Sequence, residues 1–96
     1  DEDILFQNVL DYDTIKSGVI FRYRNPGDIF ALPKRNVKKT IKKLFNELKI
    51  PKHKRDEKLL LASGNEILWI DGVGVSAKAQ LNKHTKKIVI IKRKDD

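Results

Sequence analysis

A single stretch of this chain, residues 36–51 (NVKKTIKKLFNELKIP), has the apolar spacing of an amphipathic helix, and this limits the possible folds more than any other feature. Its apolar side chains recur at intervals that place them on one side of a helix. We predict a helix that is capped by Asn36 and buries this side. The residues expected to be buried are Val37, Ile41, Leu44, Phe45 and Leu48.

The rest of the chain consists of short apolar segments separated by turn residues, which is typical of β-strands. Residues 17–28 alternate in polarity up to a Pro-Gly turn, and residues 58–70 contain two apolar runs around Ser-Gly-Asn, a hairpin signal. Residues 72–81 could continue the sheet, residues 84–94 predict a last strand, and residues 4–10 fit a strand or a short helix. We predict an α+β fold, a small mixed domain with one main amphipathic helix packed on a β-sheet or β-sandwich of five or six strands.

The composition indicates one small basic domain, residues 1–96. Lys and Arg number 21 against 13 Asp and Glu, for a net charge of +8, which favours a polyanionic partner. Residues 34–58 alone hold 11 basic and three acidic side chains. The sequence has no Cys, which excludes disulfides and thiolate metal sites, and no apolar run that could span a bilayer. We expect a cytoplasmic protein and, because no Met occurs, a piece of a longer chain.

Four lysines crowd the first turns of the predicted helix: Lys38, Lys39, Lys42 and Lys43. Cations there face the positive end of the helix dipole, and like charges four positions apart repel each other. Lysines on an exposed helix face often do no more than contact water. Because the early turns contain no acid, we favour an anion-binding surface in which a phosphate near the first-turn N–H groups would offset the repulsion.

Three arginines are candidates for the same role. The planar guanidinium of Arg22, Arg24 or Arg55 could bind phosphate oxygens through two hydrogen bonds. The alternative is a structural ion pair, Arg24 with Asp28 or Arg55 with Asp56, which at a surface stabilises by less than about 1 kcal/mol. The sequence favours phosphate binding only slightly.

Other conspicuous residues are better explained by structure than by catalysis. His53 and His84 have no second ligand at metal-binding spacing and are expected at the surface. Gly72 and Gly74 lack the rest of a dinucleotide-binding motif and predict a strand bend or turn. Trp69 lies in an apolar alternation and is expected in the core. We predict no catalytic, metal or cofactor site.

Four segments in order resemble the C-terminal domain of bacterial tRNA(Ile)-lysidine synthetase: FRYRNPGDIF, KKTIKKLFNELKIP, KRDEKLLL and EILWIDGVGVS. The resemblance covers residues 17–91. It implies a parent enzyme that uses ATP to adenylate C2 of the wobble cytidine in isoleucine tRNA with a CAU anticodon, after which free lysine displaces AMP. Catalysis in that family belongs to an N-terminal domain with a Ser-Gly-Gly-x-Asp-Ser loop, and this sequence contains no such loop.

The resemblance therefore implies that the chain is a non-catalytic domain that holds the tRNA, at its acceptor arm. The alternative is a free-standing basic module that binds RNA or associates with the ribosome. In either case no cofactor is expected in this fragment, whereas ATP belongs to the parent enzyme. The predicted RNA-binding residues are Arg22, Arg24, Lys34, Arg35, Lys38, Lys39, Lys42, Lys43 and Arg55.

Overall fold

The computed structural model describes residues 7–33 and 37–92, and its main feature is a mixed sheet of six short strands. These are β2 (Ile20–Arg22), β3 (Ile29–Ala31), β4 (Lys38–Thr40), β5 (Leu60–Ser63), β6 (Glu66–Ile70) and β7 (Gly74–Val75). Their order is β2-β5-β6-β3-β4, with β7 paired to β6. Neighbouring strands are antiparallel except β3 and β6, which are parallel.

The other elements lie on the two faces of this sheet. The strands β1 (Val9–Asp11) and β8 (Ile88–Ile90) pair with each other in a separate two-stranded sheet. The main helix α1 (Ile41–Glu47) follows β4 directly, and a one-turn helix α2 (Lys52–Arg55) follows it. Short 3₁₀ turns occupy Tyr12–Thr14 and Ala77–Ala79. The predicted α+β class with one main helix is confirmed.

The sheet separates two hydrophobic clusters. Helix α1 covers the cluster on one face, whose buried members are Phe30, Ile41, Leu44, Phe45, Leu60, Ala62, Ile67 and Ile70. The two-stranded sheet covers the other face through Leu10, where the buried residues are Leu10, Leu61, Leu68, Trp69, Val75 and Ala79. Trp69 is therefore in the core, as predicted, and its indole Nε1 donates to Asn8 Oδ1 at 3.0 Å.

The predicted hairpin is formed by β5 and β6. Its turn places Gly64 at φ +62°, a conformation that glycine adopts without strain. Leu61 lies opposite Trp69 and Ala62 opposite Ile67, so Leu68 is an extra residue that forms a β-bulge. Because the bulge reverses the alternation, Ile67 and Ile70 both face α1, whereas Leu68 and Trp69 both face the two-stranded sheet.

The predicted start of the main helix is wrong. Residues 38–40 form a strand instead, because they pair with β3 from Ala31 to Ile29. The N-cap is Thr40, whose hydroxyl accepts from the Lys43 N–H at 3.2 Å, and the predicted cap Asn36 lies outside the described residues. The predicted buried face is correspondingly shorter. Val37 precedes β4 and Leu48 follows α1, and both are nearly half exposed.

The end of α1 is closed by a backbone turn around Lys49. This residue has φ 57°, and its N–H donates to Asn46 O, while the Ile50 N–H donates to Phe45 O. The two bonds satisfy carbonyls at the helix end and reverse the chain direction. The reversal brings α2 beside the first turn of α1, where both contribute to the same groove.

Candidate nucleic-acid interface

An open groove of about 740 Å³ lies between the turn after β2, the first turn of α1 and the short helix α2. We call it the basic groove. Its lining includes four cationic side chains and two acidic ones: Arg24, Lys42, Lys52, Arg55, Asp28 and Asp56. The charge of the groove depends on which of these cations are neutralised by an acid.

Asp28, which lines the groove, forms a nearly buried ion pair with Arg22, which does not line it. The Arg22 Nη1 and Nη2 donate to the two carboxylate oxygens of Asp28, each at 2.8 Å. The same nitrogens also donate to Tyr23 O and Gly64 O, both at 2.9 Å. Four protein acceptors thus surround Arg22, and its binding of RNA stays a prediction.

The carboxylate of Asp28 also accepts from the Asn25 N–H at 2.7 Å, which closes the Pro-Gly turn. Burial would raise the pKa of Asp28, but the hydrogen bonds from Arg22 and Asn25 outweigh it and hold this pKa below its ordinary value. The Asp28 O accepts from the Ile41 N–H at 2.9 Å and so fixes the start of α1. The ion pair considered between Arg24 and Asp28 is not formed, because Asp28 pairs with Arg22 and Arg24 pairs with Asp56.

Arg24 has a different partner, far along the chain. Its Nε donates to Asp56 Oδ1 at 2.8 Å, and the Asp56 side chain is 80% exposed. The Arg24 guanidinium carbon lies 5.8 Å from the centre of the Phe45 ring, a cation–π contact. Arg24 is thus held between a buried ring and an acid that faces water.

Arg55 is bound by neutral groups. Its Nε donates to Ile50 O at 2.8 Å, and its Nη1 donates to Asn46 Oδ1. These bonds position the side chain without cancelling its charge. The considered Arg55–Asp56 ion pair is absent from the described residues, since Asp56 accepts from Arg24.

Three lysines near the groove are exposed and unpaired. Lys42 and Lys43 lie on the first turn of α1, and Lys52 begins α2. Within residues 7–33 and 37–92 none of the three has an ion-pair partner. Sequence reasoning missed Lys52, although the basic run PKHKR was a signal that could have identified it.

A family model described as the TilS substrate C-terminal domain matches residues 19–91. The chain belongs to this TilS C-terminal domain family. A solved structure titled "Crystal structure of TILS C-terminal domain" is similar, with a TM-score of 0.68 and 27% sequence identity over 84% of this chain and 62% of that one.

The curated relatives that this chain matches are much longer than the chain. A tRNA(Ile)-lysidine synthase of Clostridium tetani is 43% identical over 95% of this chain and 20% of its own length. One from Caldanaerobacter subterraneus is 40% identical over 84% of this chain and 17% of its own length. The chain therefore spans about one fifth of the length of these curated relatives.

Two predicted residues of this TilS domain lie on β4, away from the helix where we expected them. Lys39 lies opposite Phe30 and so points to the α1 side, where it forms an ion pair with Glu47. Lys38 points to the other face, near Glu66 and Lys78, which form an ion pair. The hydrogen bond from Lys78 is the main reason that the pKa of Glu66 is lowered, and the charge of Lys38 adds to it.

The structure thus sorts the predicted RNA-binding residues into groups. Arg24, Lys42 and Arg55 line the basic groove. Lys43 follows Lys42 in α1 without lining the groove, and Arg22 contacts the groove residue Asp28. Lys34 and Arg35 lie outside the described residues. In the described part of this TilS domain there is no cluster of three potential metal ligands, and no helix has the length and apolarity needed to cross a bilayer.

Proposed function

We propose that this chain is the tRNA-binding domain of a tRNA(Ile)-lysidine synthase and that it holds the acceptor arm of isoleucine tRNA with a CAU anticodon. The observation that carries the proposal is a group of cations around the basic groove that have no acidic partner within residues 7–33 and 37–92. Lys42, Lys43, Lys52 and Arg55 form this group, and three of them face water. Such a surface attracts the closely spaced phosphates of an RNA duplex.

The side chains of the groove suit contact with the RNA backbone better than contact with its bases. Lysine acts as a mobile point charge and Arg55 as an oriented one, and both suit phosphate oxygens. A-form RNA presents its bases poorly to side chains, so proteins bind duplex RNA mostly through phosphates and sugars. The domain would therefore supply affinity and position, whereas the choice of the wobble cytidine would be made elsewhere in the enzyme.

In this proposal the reaction itself takes place in other domains of the parent enzyme. The parent enzyme would use ATP and free lysine to modify the wobble cytidine, in the cytoplasm. Family membership and the greater length of the relatives favour this over a free-standing basic module. A free-standing module would have to function without further domains, whereas in the relatives this domain is about one fifth of a longer chain.

A binding comparison between two halves of the same tRNA tests the acceptor-arm proposal. We would titrate the chain into a fluorescent acceptor-arm minihelix and, separately, into the fluorescent anticodon stem-loop at low salt. We expect several-fold tighter binding of the minihelix, with the stem-loop as the control for unspecific attraction of RNA. Equal affinity for the two would contradict an acceptor-arm role, and no binding of either would contradict RNA binding altogether.

A further inference from the structure

The three candidate arginines, Arg22, Arg24 and Arg55, differ in how easily their partners can be replaced. Arg22 is bound to Asp28, whose side chain is 1% exposed, and Arg55 is bound to a backbone carbonyl and an amide. The partner of Arg24 is instead the 80% exposed side chain of Asp56. An exposed carboxylate can turn into water at little cost, because its solvation replaces the lost hydrogen bond.

We propose that Asp56 occupies, in the free protein, the position of an RNA phosphate, and that the phosphate displaces it from Arg24 on binding. The proposal rests on the proposed function and adds a binding position to it. The ligand is one phosphodiester group of the RNA backbone. In the bound state Arg24 would donate to phosphate oxygens, and the Asp56 carboxylate would be hydrated.

The geometry around Arg24 suits such an exchange. Only its Nε bonds to Asp56, and within the described residues neither Nη has an acceptor. A phosphate could therefore accept from Nε and one Nη together, which is the two-bond geometry that guanidinium groups favour. The Phe45 ring remains against the guanidinium while the partner changes, so Arg24 need not be ordered again.

The exchange would also favour polyanions over small anions. Asp56 is tethered beside Arg24, so a single small anion competes with a carboxylate of high effective concentration. An RNA strand that already contacts Lys42 or Lys52 in the same groove has the same advantage of a second attachment. Asp56 would thus weaken the binding of isolated anions more than that of RNA.

The test uses Asp56→Asn, which removes the competing charge but keeps the size of the side chain. The probe is the fluorescent acceptor-arm minihelix, titrated at several salt concentrations. We expect the affinity to rise by up to about fivefold, because the competing exposed ion pair is worth no more than that. The salt dependence of the affinity should steepen by up to about one unit of slope. Weaker binding would overturn the proposal, because it would mean that Asp56 orients Arg24 for the RNA.

Glu57→Gln is the matched control, since it removes an equal charge from the neighbouring exposed residue. Both substitutions are repeated in an Arg24→Gln background. If Asp56 competes through Arg24, the gain from Asp56→Asn disappears in that background, while the smaller effect of Glu57→Gln is unchanged. A gain in affinity that persists in the Arg24→Gln background would mean that Asp56 only repels the RNA by its charge, and it would overturn the proposal.

The outcome for the wild-type chain separates this proposal from the proposed function. If the wild type does not bind the minihelix, RNA binding itself fails and the displacement of Asp56 fails with it. If the wild type binds and Asp56→Asn binds equally well or less tightly, only the displacement fails. Because Asp56 is exposed, thermal melts are expected to show that the variant is folded, with at most a small decrease in melting temperature.

Discussion

Arg22 and Arg24 are two residues apart, yet their ion pairs differ in exposure and so in what they do for the protein. The acid bound to Arg22 is excluded from water, and the acid bound to Arg24 is almost fully hydrated. Breaking a buried pair leaves a charge without water or partner, whereas breaking an exposed pair costs little. Arg22 therefore stabilises the turn that shapes the groove, whereas the ion pair of Arg24 can open at little cost.

The first prediction compares the stability contributed by these two pairs. Arg22→Ala leaves the Asp28 carboxylate buried without its partner, and we expect the free energy of unfolding to fall by about 3 kcal/mol. Asp56→Asn, the matched disruption of the exposed pair, is expected to cost less than about 1 kcal/mol. Urea denaturation of both variants measures the difference. Similar losses for the two would show that the Arg22–Asp28 pair has no special role.

The second prediction concerns pH. Because the folded state lowers the pKa of Asp28 below its ordinary value of 3.8, this group stabilises the fold above that pH and loses its contribution as the pH falls below it. Asp28→Asn removes this titration. We expect the wild type to have the higher free energy of unfolding. The difference from the variant should be largest above about pH 4 and should decrease progressively in more acidic solution. Glu66 titrates in both proteins and cancels in the difference.

Urea denaturation at a series of pH values measures that difference. A gap between wild type and Asp28→Asn that stays constant down to acidic pH would contradict the lowered pKa of Asp28.

Sequence alone could not separate the two ion pairs in this way. Arg22 and Arg24 stand in the same Arg-x-Arg pattern, but their acidic partners lie 6 and 32 positions further along the chain.

At the scale of elements, the start of α1 shows what periodicity can and cannot establish. The spacing of Ile41, Leu44 and Phe45 correctly predicted a buried helix face. It could not exclude Lys38 and Lys39 from the helix, because lysine is a good helix former and only the pairing with β3 places them in a strand. The repulsion expected between these lysines and Lys42 or Lys43 at helical spacing therefore does not arise.

The third prediction separates the exposed side of α1 from its buried side. Replacing Lys42 and Lys43 together with Gln removes two cations near the positive end of the helix dipole. We expect unchanged or slightly higher stability, tRNA affinity reduced by roughly tenfold, and a salt slope shallower by up to about two units. Thermal melts and tRNA titrations measure the two effects.

Two further variants serve as controls for that experiment. Replacing Lys83 and Lys86 with Gln removes two exposed lysines that do not line the groove, and tRNA affinity should change much less. Leu44→Ala truncates a side chain that is 3% exposed and should destabilise the fold by about 2–5 kcal/mol. Unchanged tRNA affinity in the Lys42 and Lys43 double variant would show that both lysines contact only water and do not bind RNA.

At the scale of the whole molecule, local signals predicted the elements better than their arrangement. The β5–β6 hairpin follows from a short turn, and the α+β class follows from one helix among strands. The pairing of β1 with β8 and the parallel pairing of β3 with β6 join distant segments. Such pairings depend on how the two hydrophobic clusters close, and no short stretch of sequence encodes them.

The candidate site was predictable in part for the same reason. The excess of basic residues in residues 34–58 drew attention to α1 and α2, which form two walls of the groove. The third wall is the turn after β2, and it meets them only in the folded chain. Lys52 was missed and Lys39 was misplaced because the fold, and not the local pattern, decides which cations are neutralised by acids.

The salt dependence of tRNA binding by the wild-type chain measures how many phosphates the domain neutralises. If the basic groove and its surroundings neutralise four to six phosphates, the logarithm of the association constant should fall against the logarithm of the salt concentration with a slope of about −3 to −5. Fluorescence titrations with isoleucine tRNA over a series of salt concentrations give this slope. A slope near zero, or no binding at low salt, would contradict a domain that holds tRNA by its backbone.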